Sequence, residues 1–93
     1  MILARRFVVS GRVQGVGFRY FVADAAGHEG LGGWVRNLRD GRVEAVIEGE
    51  AQAVDRFERK IRSGPPAARV DNVVVEEREP SGHATAFRVE PSA

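Results

Sequence analysis

Two hydrophobic periods alternate along this chain, and their order restricts the possible folds more than any other feature of the sequence. Apolar residues in RRFVVSGRV, residues 5–13, recur at the two-residue period of a strand. From Phe18 onward they recur at i, i+3, i+4 and i+7, which predicts an amphipathic helix over about 17–28. The period changes inside the glycine-rich segment GRVQGVGFRYF, residues 11–21, so this segment links a strand to a helix.

The same two periods predict the order of the remaining elements. They are strands at 34–38 and 42–48 with an Asp-Gly turn between them, a helix at 50–62, and strands at 68–77 and 85–90. Two helices that must cover one apolar sheet face favour a ferredoxin-like βαββαβ sandwich, an α+β fold with an antiparallel sheet of four to five strands. Glu44 and Glu48 alternate with apolar residues, and we expect them on a water-exposed face of the sheet.

Length and composition indicate one folded domain spanning residues 1–93. The chain is 43% hydrophobic and 29% charged, and its formal charge of +1 creates no broad field for nucleic acid or an anionic membrane surface. It contains no cysteine, which excludes disulfides, thiolate nucleophiles and sulfur-ligated zinc. His28 and His83 lie far apart and lack the spacing of a helical metal pair. We therefore expect neither a metal nor another cofactor.

Two further observations concern the location of the protein. No apolar run approaches the ~20 residues of a membrane-spanning helix. The first residues, MILARRF, lack the apolar region and small-residue cleavage site of a secretory signal. We expect a cytoplasmic monomer that binds neither nucleic acid nor a membrane.

The segment QGVGFRYF, residues 14–21, admits three interpretations. In an ordinary strand-to-helix turn, the glycines would only permit the change of direction and Arg19 would be solvated. In an RNA-binding domain the aromatic residues would stack on bases, but Gln14 replaces the usual basic residue, and the segment opens a helix instead of lying on an inner strand. The third interpretation is a phosphate-binding loop, although the segment is neither a Walker loop nor a dinucleotide motif.

Three features favour the phosphate-binding loop. Gly15 and Gly17 leave the backbone open to close approach, and the loop leads into a helix N-terminus whose amides lack internal partners. Arg19 follows in the first turn, where a cation is mildly unfavourable unless an anion lies between it and the amides. Its planar guanidinium has the geometry to bind two phosphoryl oxygens at once.

The stretches GRVQGVGFRYFV, GLGGWVRN and DGRVEAVIEG together resemble the acylphosphatases, small ferredoxin-like enzymes that hydrolyse the mixed anhydride of a carboxylic acid and phosphate. The similarity extends from about Arg6 to Val89. It implies a small acyl phosphate as substrate, no metal, and catalytic roles for Arg19 and Asn37. Asn37 would orient the attacking water. The phosphate would be held by the Arg19 guanidinium and by backbone amides of Gln14, Gly15, Val16, Gly17, Phe18 and Arg19.

The chemistry of the individual residues agrees with this division of roles. Asn37 can orient a water molecule but is too weak a base to deprotonate it. No serine has a nearby His-Asp pair in sequence, so direct attack by water is the simplest route. One alternative stays open, because a phosphate-binding module cut from a larger carbamoyl-phosphate-handling enzyme would carry the same loop. The chain also departs from the family at FRVEPSA, where an aromatic or basic residue commonly follows the last strand.

Overall fold

A computed structural model describes all residues, 1–93. Its elements are β1 (Ile2–Arg12), α1 (Phe18–His28), β2 (Gly32–Asn37), β3 (Val43–Glu50), α2 (Ala51–Ser63), β4 (Arg69–Arg78) and β5 (Phe87–Val89). This order confirms the predicted βαββαβ arrangement with a short additional strand, and every predicted element is present. None of the helices has the length and apolar character required to cross a membrane.

The five strands form one sheet in the order β4-β1-β3-β2-β5. The prediction of an antiparallel sheet is wrong at one edge, because β5 pairs with β2 in parallel, while all other neighbours are antiparallel. The cause lies in the direction of β4, which ends at the side of the sheet where β2 begins. The connection 79–86 crosses the sheet at that side, so β5 enters it in the direction of β2.

Both helices cover the same face of the sheet and enclose the hydrophobic core. The α2 stripe contributes the fully buried Val54, Phe57 and Ile61, and the rings of Phe57 and Phe7 of β1 lie 5.6 Å apart. At α1 the buried residues include Phe18, while Phe21 is half-buried against it. Packing of these helices fixes the position of the β1–α1 loop at one end of the sheet.

Gly32 and Gly33 belong to β2. The helix ends at His28, and Gly30, with φ of 68°, supports the turn that follows. Gly33 has φ of 134°, and a Cβ there would overlap the carbonyl oxygen of Val46 on β3. Glycine is therefore required in β2 for the close approach of a neighbouring strand.

The prediction that Glu44 and Glu48 are exposed is also wrong, since both carboxylates are buried on the sheet face opposite the helices. Arg6 and Arg36 cover Glu44, and each donates a hydrogen bond to it, at 2.6 and 2.7 Å. Burial opposes ionisation, but these hydrogen bonds and charges outweigh it and lower the pKa of Glu44 below its ordinary value. Glu48 instead accepts hydrogen bonds from the connection between β4 and β5, as described below.

The connection between β4 and β5 folds over the open sheet face. The backbone N–H groups of Ser81 and Gly82 each donate a 2.8 Å hydrogen bond to Glu48, and the Ser81 hydroxyl donates a third at 3.0 Å. The backbone hydrogen bonds lower the pKa of Glu48. A long-range contact of this kind leaves no trace in the local alternation of apolar and polar residues.

Candidate active site

Two glycines of the loop between β1 and α1 adopt a left-handed backbone conformation. Gly15 and Gly17 have φ of 75° and 76°, in the left-handed region that favours glycine. Gly17 is the N-cap of α1, and no side chain caps this helix or places an acidic group in its first turn. The first N–H groups of α1 therefore lack a side-chain partner and can donate hydrogen bonds to a bound anion.

Arg19 lies in the first turn of α1 and is half-buried. Its guanidinium forms no ion pair and no hydrogen bond with another protein group, whereas Arg5, Arg6 and Arg36 are each paired with carboxylates. Its donors are thus free to bind a ligand, and the positive end of the α1 dipole lies beside them. This combination favours binding of an anion over a purely structural role.

Asn37, the last residue of β2, borders the same cleft as Arg19, Gly15 and Gly17. The cleft has a volume of about 90 Å³. The side-chain oxygen of Asn37 is buried and has no hydrogen-bond partner within the protein. Because buried polar atoms are almost always hydrogen-bonded, this oxygen requires a donor such as a water molecule in the cleft.

The side chain of Gln14 forms two tertiary hydrogen bonds that the sequence did not indicate. Its Nε2 donates hydrogen bonds to the carbonyl oxygens of Leu38 and Arg42, at 2.8 and 3.0 Å. These bonds tie the β1–α1 loop to the β2–β3 turn, directly after Asn37. Gln14 therefore connects the two sides of the cleft. Its own side chain bonds to protein carbonyl groups and does not line the cleft.

The remaining predicted loop residues divide between cleft and core. Phe18 borders the cleft but is fully buried, so its ring is unavailable for base stacking. Val16 packs against the core from outside and, like Gln14, does not line the cleft. Tyr20 lines the cleft and is 68% exposed, which the sequence analysis missed. The sequence contained a signal for this position. Tyr20 directly follows Arg19, and the residues of α1 that face the core lie at other positions of the helix.

The segment after β5 continues along β2 towards Asn37. The N–H of Glu90 donates to the carbonyl of Val35 at 2.8 Å, and the N–H of Ala93 donates to the carbonyl of Asn37 at 3.0 Å. Arg39 in turn donates from its Nε to the carbonyl oxygen of Ala93 at 3.0 Å. The departure from the family pattern in FRVEPSA therefore still produces a segment that supports the backbone at Asn37.

Trp34 and Arg36 lie on the sheet face away from the cleft. The Arg36 guanidinium is 5.0 Å from the centre of the Trp34 ring and pairs with Glu44. In these contacts Trp34 is a packing residue, and Arg36 is occupied outside the cleft. No three His, Asp or Glu side chains are grouped in a way that could hold a metal ion.

Comparison with known proteins assigns the chain to a family. Residues 5–89 match the model of the acylphosphatase family. An acylphosphatase from Anaeromyxobacter dehalogenans is 57% identical over 84 residues, which cover 90% of each chain. Among solved structures, the acylphosphatase from Bacillus subtilis is 41% identical, with a TM-score of 0.91 over 95% of this chain and 98% of the other.

A larger protein contains a similar domain. Full-length HypF, solved in a phosphate- and nucleotide-bound form, matches 99% of this chain at 35% identity and a TM-score of 0.91, but the match covers only 12% of HypF. The family model and the relatives of similar length agree with each other and with the fold. The chain is a member of the acylphosphatase family of hydrolases.

Proposed function

We propose that this acylphosphatase hydrolyses the carboxyl-phosphate bond of small acyl phosphates by direct attack of water, with Arg19 and the 14–19 loop binding the phosphate. The supporting observation is the cleft itself: an unpaired guanidinium and an unsatisfied amide oxygen, that of Asn37, border about 90 Å³ beside a helix N-terminus. A cleft of this size has room for a phosphoryl group and a water molecule.

The backbone amides and Arg19 act on the phosphoryl group throughout the reaction. Charge in the transition state of phosphoryl transfer spreads over three equatorial oxygens, and fixed donors stabilise it without reorganising. Amides at a helix N-terminus and a planar guanidinium together provide such donors. In this mechanism the binding groups neutralise the phosphate dianion and no metal ion is needed.

Asn37 orients the nucleophile. Its buried Oδ1 accepts a hydrogen bond from the water, which directs a lone pair of the water oxygen towards phosphorus. An amide does not accept the proton, and no carboxylate or imidazole borders the cleft. The new oxygen–phosphorus bond forms as the bond to the carboxylate oxygen breaks, the carboxylate departs with the bonding electrons, and the water proton passes to a phosphoryl oxygen.

Hydrolysis of benzoyl phosphate by the wild type and two variants tests these roles. We expect Arg19→Ala to lose both turnover and the competitive binding of inorganic phosphate. Asn37→Ala should retain phosphate binding while kcat falls by about 100-fold or more, because only the placement of water is lost. Arg59→Ala and Asn72→Ala, at exposed positions outside the cleft, serve as matched controls. Equal loss of phosphate affinity in both cleft variants would contradict the role given to Asn37.

Addition of a chelator tests the metal-free mechanism. We expect the kcat of the wild type to be the same with and without excess EDTA. A loss of activity that returns on addition of a divalent cation would show that the loop and Arg19 are insufficient to neutralise the phosphate.

The likeness to a segment of HypF favours a second candidate function, a phosphate-binding module that acts within a larger assembly. Such a module would bind phosphate without releasing it from benzoyl phosphate. Steady-state turnover by the isolated chain therefore separates the two candidates.

We further propose that residues 1–93 act as one domain and as a monomer, because a single chain provides every group in the cleft. Sedimentation of the active species at assay concentration tests this proposal. The cytoplasmic location and the lack of nucleic-acid binding stay predictions, which cell fractionation and salt-dependent binding assays would test.

A further inference from the structure

The cleft leaves the acyl part of the substrate without an assigned position. The proposed function places the phosphoryl group and the attacking water in this cleft of about 90 Å³. An acyl group as large as benzoyl then extends past the cleft and meets the surface at its border. What borders the cleft on the outside determines which acyl groups the enzyme favours.

Tyr20 is the one exposed aromatic residue at this border. Of the large apolar and aromatic side chains in the chain, only those of Met1, Ile2, Tyr20 and Val74 are exposed, and Tyr20 alone lines the cleft. Its hydroxyl forms no hydrogen bond within the protein, and its ring is not needed for the core. The first turn of α1 fixes the backbone of Tyr20 next to Arg19.

The line along which the carboxylate leaves phosphorus keeps the border at Tyr20 available to the acyl group. In an in-line displacement, the attacking water and the leaving carboxylate lie on opposite sides of phosphorus. Asn37 of β2 holds the water, so the carboxylate departs away from β2. The other borders of the cleft are the buried Val13 directly after β1, the two loop glycines, which have no side chains, and the first turn of α1, which presents Tyr20.

We propose that the exposed ring of Tyr20 binds the acyl group, so that the enzyme favours acyl phosphates with an aromatic or extended apolar acyl group over acetyl phosphate. This proposal rests on the function proposed above, in which Arg19 and the loop bind the phosphate. An aromatic acyl group packs on the phenol ring in an offset or edge-to-face arrangement, and an acetyl group is too small to cover it. Tyr20 thus acts on the choice of substrate and not on the chemical step.

The test compares benzoyl phosphate and acetyl phosphate as substrates of the wild type, Tyr20→Ala and Tyr20→Phe. For Tyr20→Ala we expect kcat/KM for benzoyl phosphate to fall about three- to ten-fold, mainly through KM, with kcat/KM for acetyl phosphate changed less than two-fold. Tyr20→Phe keeps the ring and should behave as the wild type. The inhibition constant of inorganic phosphate should be the same in all three proteins, which also shows that the cleft is intact.

The outcomes separate the two proposals. Equal effects of Tyr20→Ala on both substrates, or no effect on either, would overturn the role of Tyr20 while the wild type still hydrolyses acyl phosphates. If Tyr20→Phe lost as much as Tyr20→Ala, the hydroxyl and not the ring would bind the substrate, which also contradicts the proposal. If the wild type hydrolysed neither substrate, the proposed function itself would fail.

Discussion

Replacing Glu44 by glutamine should destabilise the protein without affecting the catalytic cleft. The Glu44 side chain is 7% exposed, and its two oxygens accept hydrogen bonds of 2.6 and 2.7 Å from Arg6 and Arg36. Glutamine has nearly the same shape, but it carries no charge and turns an N–H₂ group towards one of the two guanidiniums. The substitution therefore removes the charge of a buried group and leaves its neighbours in place.

The expected magnitude follows from these contacts. Two hydrogen bonds between charged groups contribute roughly 1.5–3 kcal/mol each, which would give about 3–6 kcal/mol in total. However, Arg6 and Arg36 are 27% and 38% exposed, and Arg6 keeps its ion pair with Glu76. Solvent and the second partner reduce the loss, and we expect Glu44→Gln to lower the free energy of unfolding by about 2 kcal/mol at pH 7. For a domain of this size, Tm would fall by roughly 8–16 °C.

The pH dependence provides the sharper measurement. Because the pKa of Glu44 is lower in the folded state, its ionisation stabilises the fold fully above the unfolded pKa of about 4.3. That stabilisation is lost as the pH falls through the folded pKa. The difference in unfolding free energy between wild type and variant, from urea titrations, should be constant from pH 6 to 8 and shrink below about pH 4. The kcat of the folded variant should be within two-fold of the wild type.

Two results would refute this reasoning. A difference under about 0.5 kcal/mol at pH 7 would show that solvent screens the pair completely. If the difference in unfolding free energy grew as the pH fell, the pKa of the Glu44 carboxyl would be higher in the folded protein than in the unfolded chain. Glu90→Gln, a charge-equivalent change at a residue with only one distant ion pair, of 3.5 Å, is the matched control.

The remaining predictions concern the loop, β2 and the β4–β5 connection. Gln14→Ala should lower kcat/KM for benzoyl phosphate by about 10- to 100-fold, since the loop is no longer tied to the β2–β3 turn, whereas Gln52→Ala should have no effect in the same assay. Gly33→Ala should prevent folding in circular dichroism, because the new Cβ overlaps a β3 carbonyl, while Gly27→Ala in α1 should raise stability by about 0.5 kcal/mol. Glu48→Ala should make proteinase K cleavage in the β4–β5 connection several-fold faster, which unchanged cleavage would contradict.

The elements that the sequence predicts well are those with a clear hydrophobic period. The stripe Val54, Phe57 and Ile61 of α2 faces the core as its spacing indicates. The direction of β5 could not be predicted, because a strand of three residues has too few positions to specify its partner. The burial of Glu44 could not be predicted either, since the arginines that cover it come from different strands. The alternation of apolar and polar residues describes a single strand and does not show which side chains of neighbouring strands cover it.

In the candidate site too, features that depend on adjacent residues could be predicted, whereas contacts between distant residues could not. The backbone of the loop was expected from Gly15 and Gly17, which both adopt positive φ. β1 and β2 are each antiparallel to β3 and so run parallel to one another, and Asn37 at the end of β2 therefore borders the cleft of Arg19. By contrast, the bonds from Gln14 to the β2–β3 turn span 24 and 28 positions and depend on tertiary structure. The catalytic roles of these residues stay predictions until the variants are assayed.

The central place of β1 in the sheet has a consequence for folding. β1 leads directly into the loop that precedes α1, yet its two neighbours are β3 and β4, and Arg5 donates a hydrogen bond to Glu77 at a separation of 72 positions. Folding slows as contacts join distant parts of a chain, since the loop entropy is lost before the contact is gained. During synthesis, a ribosome-bound chain that ends before β4 would hold Arg19 and Asn37, the side chains proposed to be catalytic, and we expect it to be inactive. Activity should therefore arise in one step, when the last long strand is released.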